Sequence, residues 1–292
     1  MPAYYNAAKI NLFLQVEGKR KDGYHTLTSV MQSVSLFDGV TVDFERTVFS
    51  LDCGGADLGP REKNSVYRMW YLLKEHYHLP GEIAVTLDKK IPVGAGLAGG
   101  SGNAAAVLRA VTDHYQLDLC AEEIVAVCRE VGADVAFCYF GGTMLATGIG
   151  ERLKPLPPLP HWDILLFHGG FHVSTPEIFK AYDEIALGVT QVPVEPMLHA
   201  LEKASREGVL YALYNGLEKA TFPRYAALRK LSDQLEAYAL PHLMSGSGPT
   251  VFALAEKKAA QNLMKASPPE LGRIDHVYPV TKGIFSEEEM QK

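Results

Sequence analysis

The sequence predicts an α+β protein built as two lobes, and three observations carry that prediction. Strand-like stretches come in turn-linked pairs and do not alternate one for one with helices. Amphipathic helical runs are interspersed in both halves, the clearest running from Ser65 to His78 and from Arg224 to Tyr238. A proline-rich run, Lys154 to Pro160 (KPLPPLP), blocks both helix and ladder near mid-chain. It divides the 292 residues into an N-terminal unit, 1–155, and a C-terminal unit, 156–292, each long enough to bury a core.

From the N-terminus, AAKINLFLQVEG alternates as a strand, with Ile10, Leu12, Leu14 and Val16 on one face and Lys9, Asn11 and Phe13 on the other. Asp22-Gly23, within KRKDGYH, is a hairpin signal. A mixed segment (LTSVMQSVSLFD) and short alternating strands (GVTVDFERTVFSLDC) follow. Val66, Met69, Leu72 and Leu73 then repeat at helical spacing, and Ile83 to Leu87 reads as a strand. After a glycine-rich loop come a helix (AAAVLRAVTDHY) and a second one, Ala121 to Val131, stopped at Gly132. An apolar run from Val135, the turn Gly141-Gly142 and a strand from Thr143 to Ala146 complete the first unit. The second opens with the strand DILLFH and the segment GGFHVSTPEIFKAYD. Its long helix places Leu228, Leu231 and Leu235 on one face, and a glycine turn (MSGSGP) leads into the strand TVFALA. A helix (KKAAQNLMKA), a strand (HVYPV) and a frayed tail (SEEEMQK) close the chain.

Composition narrows the function classes. Apolar residues make up 47% and charged residues 21%, as in an ordinary globular protein. A net charge of −6 argues against nonspecific binding to nucleic acid or to anionic membranes. No apolar run reaches membrane-spanning length, and MPAYYNAAKIN lacks the basic and apolar regions of a signal peptide. Cys53, Cys120, Cys128 and Cys138 form no C-x-x-C pair, which reads as reduced, mostly core cysteine in a cytoplasmic protein. His161, His168 and His172 have no metal-ligand spacing, so no zinc site is assigned.

The stretch with most chemistry is PVGAGLAGGSGN: Pro92, Val93, Gly94, Ala95, Gly96, Leu97, Ala98, Gly99, Gly100, Ser101, Gly102 and Asn103. Its glycines permit positive φ and leave room for a ligand to approach the backbone. The helix behind it offers unpaired amides and the positive end of its dipole, which together favour a nucleotide phosphate. The alternative is a Gly/Ala-rich helix start that packs close to a sheet. A dinucleotide fingerprint would need an acid at the end of a second strand about 20 residues on, and another helix follows here instead. A Walker loop would need Gly-Lys-Ser/Thr, and a protein-kinase loop its His-Arg-Asp and Asp-Phe-Gly partners, all absent.

Phosphoryl transfer also needs a group to take the acceptor's proton and a charge to stabilise it. Asp134, isolated between Ala133 and an apolar run, is the candidate acid, or else the N-cap of the next short helix. Lys9 is the candidate cation, or else an ordinary solvated strand lysine. Tyr24-His25 suits a recognition element or an aromatic packed over a hairpin. Ser245 and Ser247 suit phosphate binding or a tight turn.

AAKINLFLQV, PVGAGLAGGSGNAAA and MSGSGPTVFAL, in that order along the chain, resemble the three motifs of the GHMP small-molecule kinases. RKDGYH and GADVAFCYFGGTMLATGIGE resemble, within that superfamily, the branch acting on 4-diphosphocytidyl-2-C-methylerythritol. The resemblance implies a ribosomal-protein-S5-like N-terminal lobe and a ferredoxin-like C-terminal lobe with the active site between them. It implies ATP over the loop from Pro92 to Gly102, with Asn64 (in KNSVYR) helping to hold the adenine; Mg²⁺ is expected chemically with ATP, its ligands unassigned. Asp134 would take the proton of the methylerythritol 2-hydroxyl, and Lys9 would orient it. Tyr24 and Phe179 would sandwich the cytosine while His25 reads its edge, and Asn11 and Thr175 would touch the substrate. The implied activity is phosphorylation of that 2-hydroxyl in non-mevalonate isoprenoid precursor synthesis, by a monomer or weak homodimer.

Departures from the pattern leave alternatives. Gly102 stands where Ser-Ser-Asp or Ser-Ser-Asn has a second hydroxyl, and Ala98 and Ala136 replace a common glycine and proline. A kinase of another small alcohol, or a nucleotide-binding paralogue with weak catalysis, are the rival readings. A serine restored at position 102 is expected to raise activity if the missing hydroxyl limits it.

Overall fold

One strand, β1 (Ala3–Lys19), is the common wall of both lobes. The computed structural model describes residues 1–55 and 60–291. β1 pairs antiparallel along its length with β2 (His25–Arg46). β3 (Ser50–Asp52), β4 (Glu82–Asp88), β5 (Thr143–Thr147) and β6 (Arg152–Pro155) extend the sheet from β2. Helices α1 (Ser65–Tyr77), α2 (Gly99–Tyr115), α3 (Ala121–Val131) and α4 (Val135–Phe140) complete the N-terminal lobe. Met69, Trp70 and Leu73 of α1 and Ala104 to Leu108 of α2 are sealed against Val40, Val42, Val85 and Leu87 of the sheet. Burial of each valine, leucine or methionine among them contributes about 1.5–3 kcal/mol of transfer free energy.

The C-terminal lobe is built on a second, antiparallel sheet. Its order is β11 (Ile274–Val277), β7 (Asp163–Phe167), β10 (Val251–Ala255), β9 (His242–Met244). Around it lie α5 (Thr175–Ile185), α6 (Glu195–Glu202), α7 (Arg206–Tyr211), α8 (Glu218–Thr221), α9 (Ala226–Ala237) and α10 (Lys257–Ala266). Alternate residues of β7 and β10 serve two cores. Ile164, Leu166, Phe252 and Leu254 meet α6 and β1, whereas Leu165, Phe167, Val251 and Ala253 meet α5, α9 and α10. A sheet covered on both faces explains why DILLF and VFALA read as unbroken apolar runs. Leu228, Leu231 and Leu235 of α9 face inward as their spacing predicts.

Several expectations need correction. β1 does not alternate between one apolar and one polar face. A register shift between Asn11 and Phe13 turns Phe13 into the cluster of Ile10 and Leu12, while Leu14 and Val16 join another. The mixed segment and short strands after the hairpin form one 22-residue strand, β2. β8 (Tyr214–Asn215) and β12 (Ile284–Ser286), from the second half of the chain, both return to pair with β1. The tail is not frayed over its length: Ser286 and Glu289 form a capping box on α11 (Glu287–Met290). Cys120 is exposed, while burial pushes the Cys128 thiol up to about 12, as suits an inert core residue. Among the described residues no helix is long and apolar enough to cross a membrane.

The turn after β9 is held from below. Asn215 Nδ2 donates to the carbonyls of Met244 (2.7 Å) and Gly246 (2.8 Å), and the Met244 amide donates to Glu218 Oε1 at 2.8 Å. Burial pushes the Glu218 carboxyl up from 4.5 to about 7, although the Met244 amide and the Arg229 charge oppose it. Between those values the native state keeps a proton that the unfolded chain has released. This group's contribution is therefore fully present below 4.5 and is lost as pH rises through about 7. Glu218→Gln keeps an acceptor for the Met244 amide and removes the titration. Its melting temperature should fall less than the wild type's between about pH 5 and about pH 8; parallel curves would show that Glu218 does not titrate differently on folding.

Candidate active site

A cavity of about 980 Å³ lies between the lobes. One side is the glycine loop and the α2 N-terminus; the other is the segment leading into α5 and the turn after β9.

The loop is seated on that turn. Gly96 has φ +74°, and a Cβ there would lie 2.4 Å from the Ser245 carbonyl oxygen and 2.9 Å from that of Gly248. Glycine is required, because these contacts are with backbone. Ser245 Oγ donates to the Gly96 carbonyl (3.0 Å), the Thr250 amide to that of Ala95 (3.3 Å), and the Lys9 amide to that of Leu97 (3.1 Å). The Ser245 hydroxyl therefore serves the turn and the loop together. Ala98 caps α2 at φ +57°, a left-handed conformation that costs an alanine more than a glycine. The Gly102 amide bonds the Ala98 carbonyl, and Ser65 Oγ donates to the Gly100 carbonyl at 2.7 Å. The first-turn amides ahead of Gly102 have no partner within the helix, so they and the helix dipole suit an anion at this end of the cavity.

Beneath the loop lies a buried polar network. Asp38 accepts from the Lys90 and Ile91 amides, both at 2.8 Å, and is paired with Lys89. Lys89 also donates to Asn103 Oδ1 (3.0 Å), and Asn103 Nδ2 donates to Asn6 Oδ1 (2.8 Å) and Asp38 Oδ2 (3.1 Å). The turn from β4 into the loop is thereby fixed, with the Lys89 charge at the cavity edge.

The middle of the cavity holds the two groups that the sequence left ambiguous. Lys9 is only 4% exposed, so it is not a solvated strand lysine. Its Nζ donates to Asn11 Oδ1 at 2.7 Å and stands 3.8 Å from Asp134 Oδ2. Asp134 occupies the N-cap position of α4 but makes no side-chain capping bond there; its carboxylate lies beside Lys9 instead. Asn11 is oriented in turn by Ser29, whose hydroxyl oxygen accepts a hydrogen bond from Asn11 Nδ2 at 2.9 Å and whose O–H donates to the Phe13 carbonyl at 2.7 Å.

At the far end His25 stacks on Phe179, ring centroids 4.9 Å apart and 26° between planes. Tyr24 is 61% exposed at the cavity rim. Thr175 Oγ1 and Ser247 Oγ are 2.8 Å apart, joining α5 to the second glycine turn.

Of the residues singled out from sequence, Lys9, Asn11, Tyr24, His25, Asn64, Asp134, Thr175 and Phe179 all line this cavity, with Pro92 to Gly96 and Ala98 to Ser101. Asn64 also caps α1 by accepting from the Val66 amide at 2.8 Å. Leu97 and Gly102 lie outside the lining: Leu97 is core, and Gly102 faces β1. A Cβ at Gly102 would come within 2.3 Å of Asn6 Nδ2 and 2.8 Å of its Cγ, so Asn6 fills the space where a side chain was expected. Sequence reasoning missed Ser29, Lys89, Lys180 and Asp183, which also line the cavity and carry no local signal; Asn103, the last residue of the glycine-rich stretch, lines it too.

Residues 64–142 match the family profile "GHMP kinases N terminal domain" and residues 197–272 match "GHMP kinases C terminal". A 4-diphosphocytidyl-2-C-methyl-D-erythritol kinase of Listeria innocua is 37% identical over 253 residues, covering 86% of this chain and 86% of that protein. The chain belongs to the GHMP kinase family. A solved 4-(cytidine 5'-diphospho)-2C-methyl-D-erythritol kinase is similar to this GHMP kinase with a TM-score of 0.78 and 33% identity, over 95% of this chain and 98% of the other. Homoserine kinase from Cytophaga hutchinsonii shares the fold, with a TM-score of 0.75 at 17% identity, over 98% and 96% of the two chains. GHMP kinases use ATP, and the helix N-terminus, the glycine loop and Lys89 are a donor set suited to its phosphates.

Restoring a serine at position 102 should now fail to help. Gly102→Ser must displace Asn6 and its bond with Asn103, lowering stability by about 1–3 kcal/mol without a gain in turnover. Asn6→Ser in the same chain should recover most of that loss in a thermal double-mutant cycle. Additive effects of the two changes would mean that Asn6 does not occupy the missing side chain's space.

Proposed function

We propose that this GHMP kinase is a 4-diphosphocytidyl-2-C-methyl-D-erythritol kinase, transferring the γ-phosphoryl group of ATP to the 2-hydroxyl in non-mevalonate isoprenoid precursor synthesis. The observation that carries the reading is one cavity joining three elements: a phosphate seat at the α2 N-terminus, the Lys9–Asp134 pair, and a stacked aromatic end at His25 and Phe179. The identities of the two similar kinases point the same way.

In this reading the loop amides and Lys89 hold the nucleotide phosphates, and Asn64 lies toward the adenine. Asn11 and Lys9 place the substrate's 2-hydroxyl at Asp134. The hydroxyl oxygen bonds the γ-phosphorus as the bond from that phosphorus to the β,γ-bridging oxygen breaks. Asp134 takes the proton and ADP leaves. Lys9, 3.8 Å from that carboxylate, stabilises charge on the acceptor oxygen. Tyr24 and Phe179 hold the cytosine faces, His25 its edge, and Thr175 the substrate near Ser247. Among the described residues no three His, Cys, Asp or Glu side chains gather around one point. Mg²⁺ would accordingly be carried chiefly by the nucleotide phosphates, as this hard, strongly hydrated cation commonly is, and it would supply charge neutralisation there. The enzyme is read as cytoplasmic and as a monomer or weak homodimer.

ADP release with Mg-ATP should occur with the diphosphocytidyl substrate and not with mevalonate, homoserine or galactose. Asp134→Asn should bind ATP normally in calorimetry and lose about 10²–10⁴-fold in kcat. Turnover of another alcohol would remove the cytidine assignment, and near-normal kcat in Asp134→Asn would remove the base.

A further inference from the structure

Among the described residues the cavity lining holds one carboxylate besides Asp134, and the reaction above does not use it. Asp183 lies on α5 four residues after Phe179, so one helix face delivers both an aromatic ring and a carboxylate to His25. His25 Nε2 is 2.6 Å from Asp183 Oδ1, and the His25 side chain is only 8% exposed. The other oxygen, Oδ2, accepts from Lys19 Nζ at 2.6 Å. Lys19 and His25 are cross-strand partners at the β1–β2 turn, so Asp183 ties both strands of that hairpin to α5.

Burial alone would raise the Asp183 pKa, but the hydrogen bonds from Lys19 and His25 outweigh it and hold the carboxyl below the usual carboxylate range. An ionised carboxylate only accepts hydrogen bonds, so the proton of this contact resides on His25 Nε2. In the neutral imidazole the other nitrogen, Nδ1, then presents a lone pair. The base edge of a 4-aminopyrimidine offers an exocyclic N–H donor, whereas a 4-oxopyrimidine offers an oxygen acceptor at the same place.

We propose that Asp183 is a specificity-determining positioning residue: by keeping the His25 proton on Nε2 it makes Nδ1 the acceptor that admits a 4-amino base and rejects a 4-oxo base. This rests on the cytidine reading given under the proposed function. A buried acceptor facing an acceptor leaves both unpaired, which is how a hydrogen-bonding site discriminates between ligands of the same shape.

The test compares kcat/KM for the diphosphocytidyl substrate and its diphosphouridyl analogue in wild type, Asp183→Asn and Lys19→Gln, with ¹⁵N NMR of the His25 imidazole. Asparagine keeps the shape but can turn its amide to donate, which frees His25 to carry its proton on Nδ1. The cytidine-to-uridine preference should fall about tenfold in Asp183→Asn, through KM more than kcat, and the Nε2–H signature should be lost. Lys19→Gln, which loosens the hairpin tie but leaves the His25 contact, should keep the preference. An equal loss for both substrates in Asp183→Asn, or an Nδ1–H tautomer in wild type, would overturn the proposal and leave Asp183 a structural tie. Wild type that turns over neither substrate would overturn the functional reading itself, and this inference with it.

Discussion

Everything in the site depends on the contact between Gly96 and the carbonyls of Ser245 and Gly248, where two backbones meet with no room for a side chain. That contact seats the glycine loop on the C-terminal lobe. The Lys9 amide's bond to the Leu97 carbonyl seats it on β1. With both ends of the seat fixed, the N-terminus of α2 opens toward the centre of the cavity and Lys9 reaches Asp134. Without it, the loop would be a flexible run of glycines with a high ordering cost. The turn is itself braced by Asn215 and Glu218, so the loop rests on a turn that is held from beneath.

The second constraint is that β1 is buried on both faces. An exposed strand lysine would be hydrated and free to move. Here the C-terminal lobe covers the strand, and Lys9 is left with Asn11 and Asp134 as its polar neighbours. A charge taken from water has to be paired or hydrogen-bonded, and that requirement holds the ammonium group beside Asn11 and Asp134. The strand that joins the lobes therefore also places a buried lysine in the cavity.

The parts legible in the sequence are those that chemistry demands of a contiguous stretch. The glycine loop, the helix behind it, the absence of a following strand and the leucine stripe of α9 are local, and the fold bears them out. Lys9 was ambiguous because its burial is decided by a lobe more than a hundred residues away in the chain. Asp134 was ambiguous because a capping position and a site position coincide, and only the direction of the carboxylate separates them. At Gly102 the space beside α2 is filled by Asn6 of β1, an arrangement that no single stretch displays. Asp183, Lys89 and Ser29 are isolated polar residues on ordinary elements, and long-range packing alone brings them to the cavity.

The most direct test of the central claim is a crystal structure with a non-hydrolysable ATP analogue and the diphosphocytidyl substrate bound together. The account predicts the γ-phosphate at the first turn of α2, with the substrate's 2-hydroxyl within hydrogen-bond distance of Asp134 and in line with the γ-phosphorus. A 2-hydroxyl directed away from Asp134, or phosphates seated elsewhere than the Gly94–Ser101 loop, would contradict it.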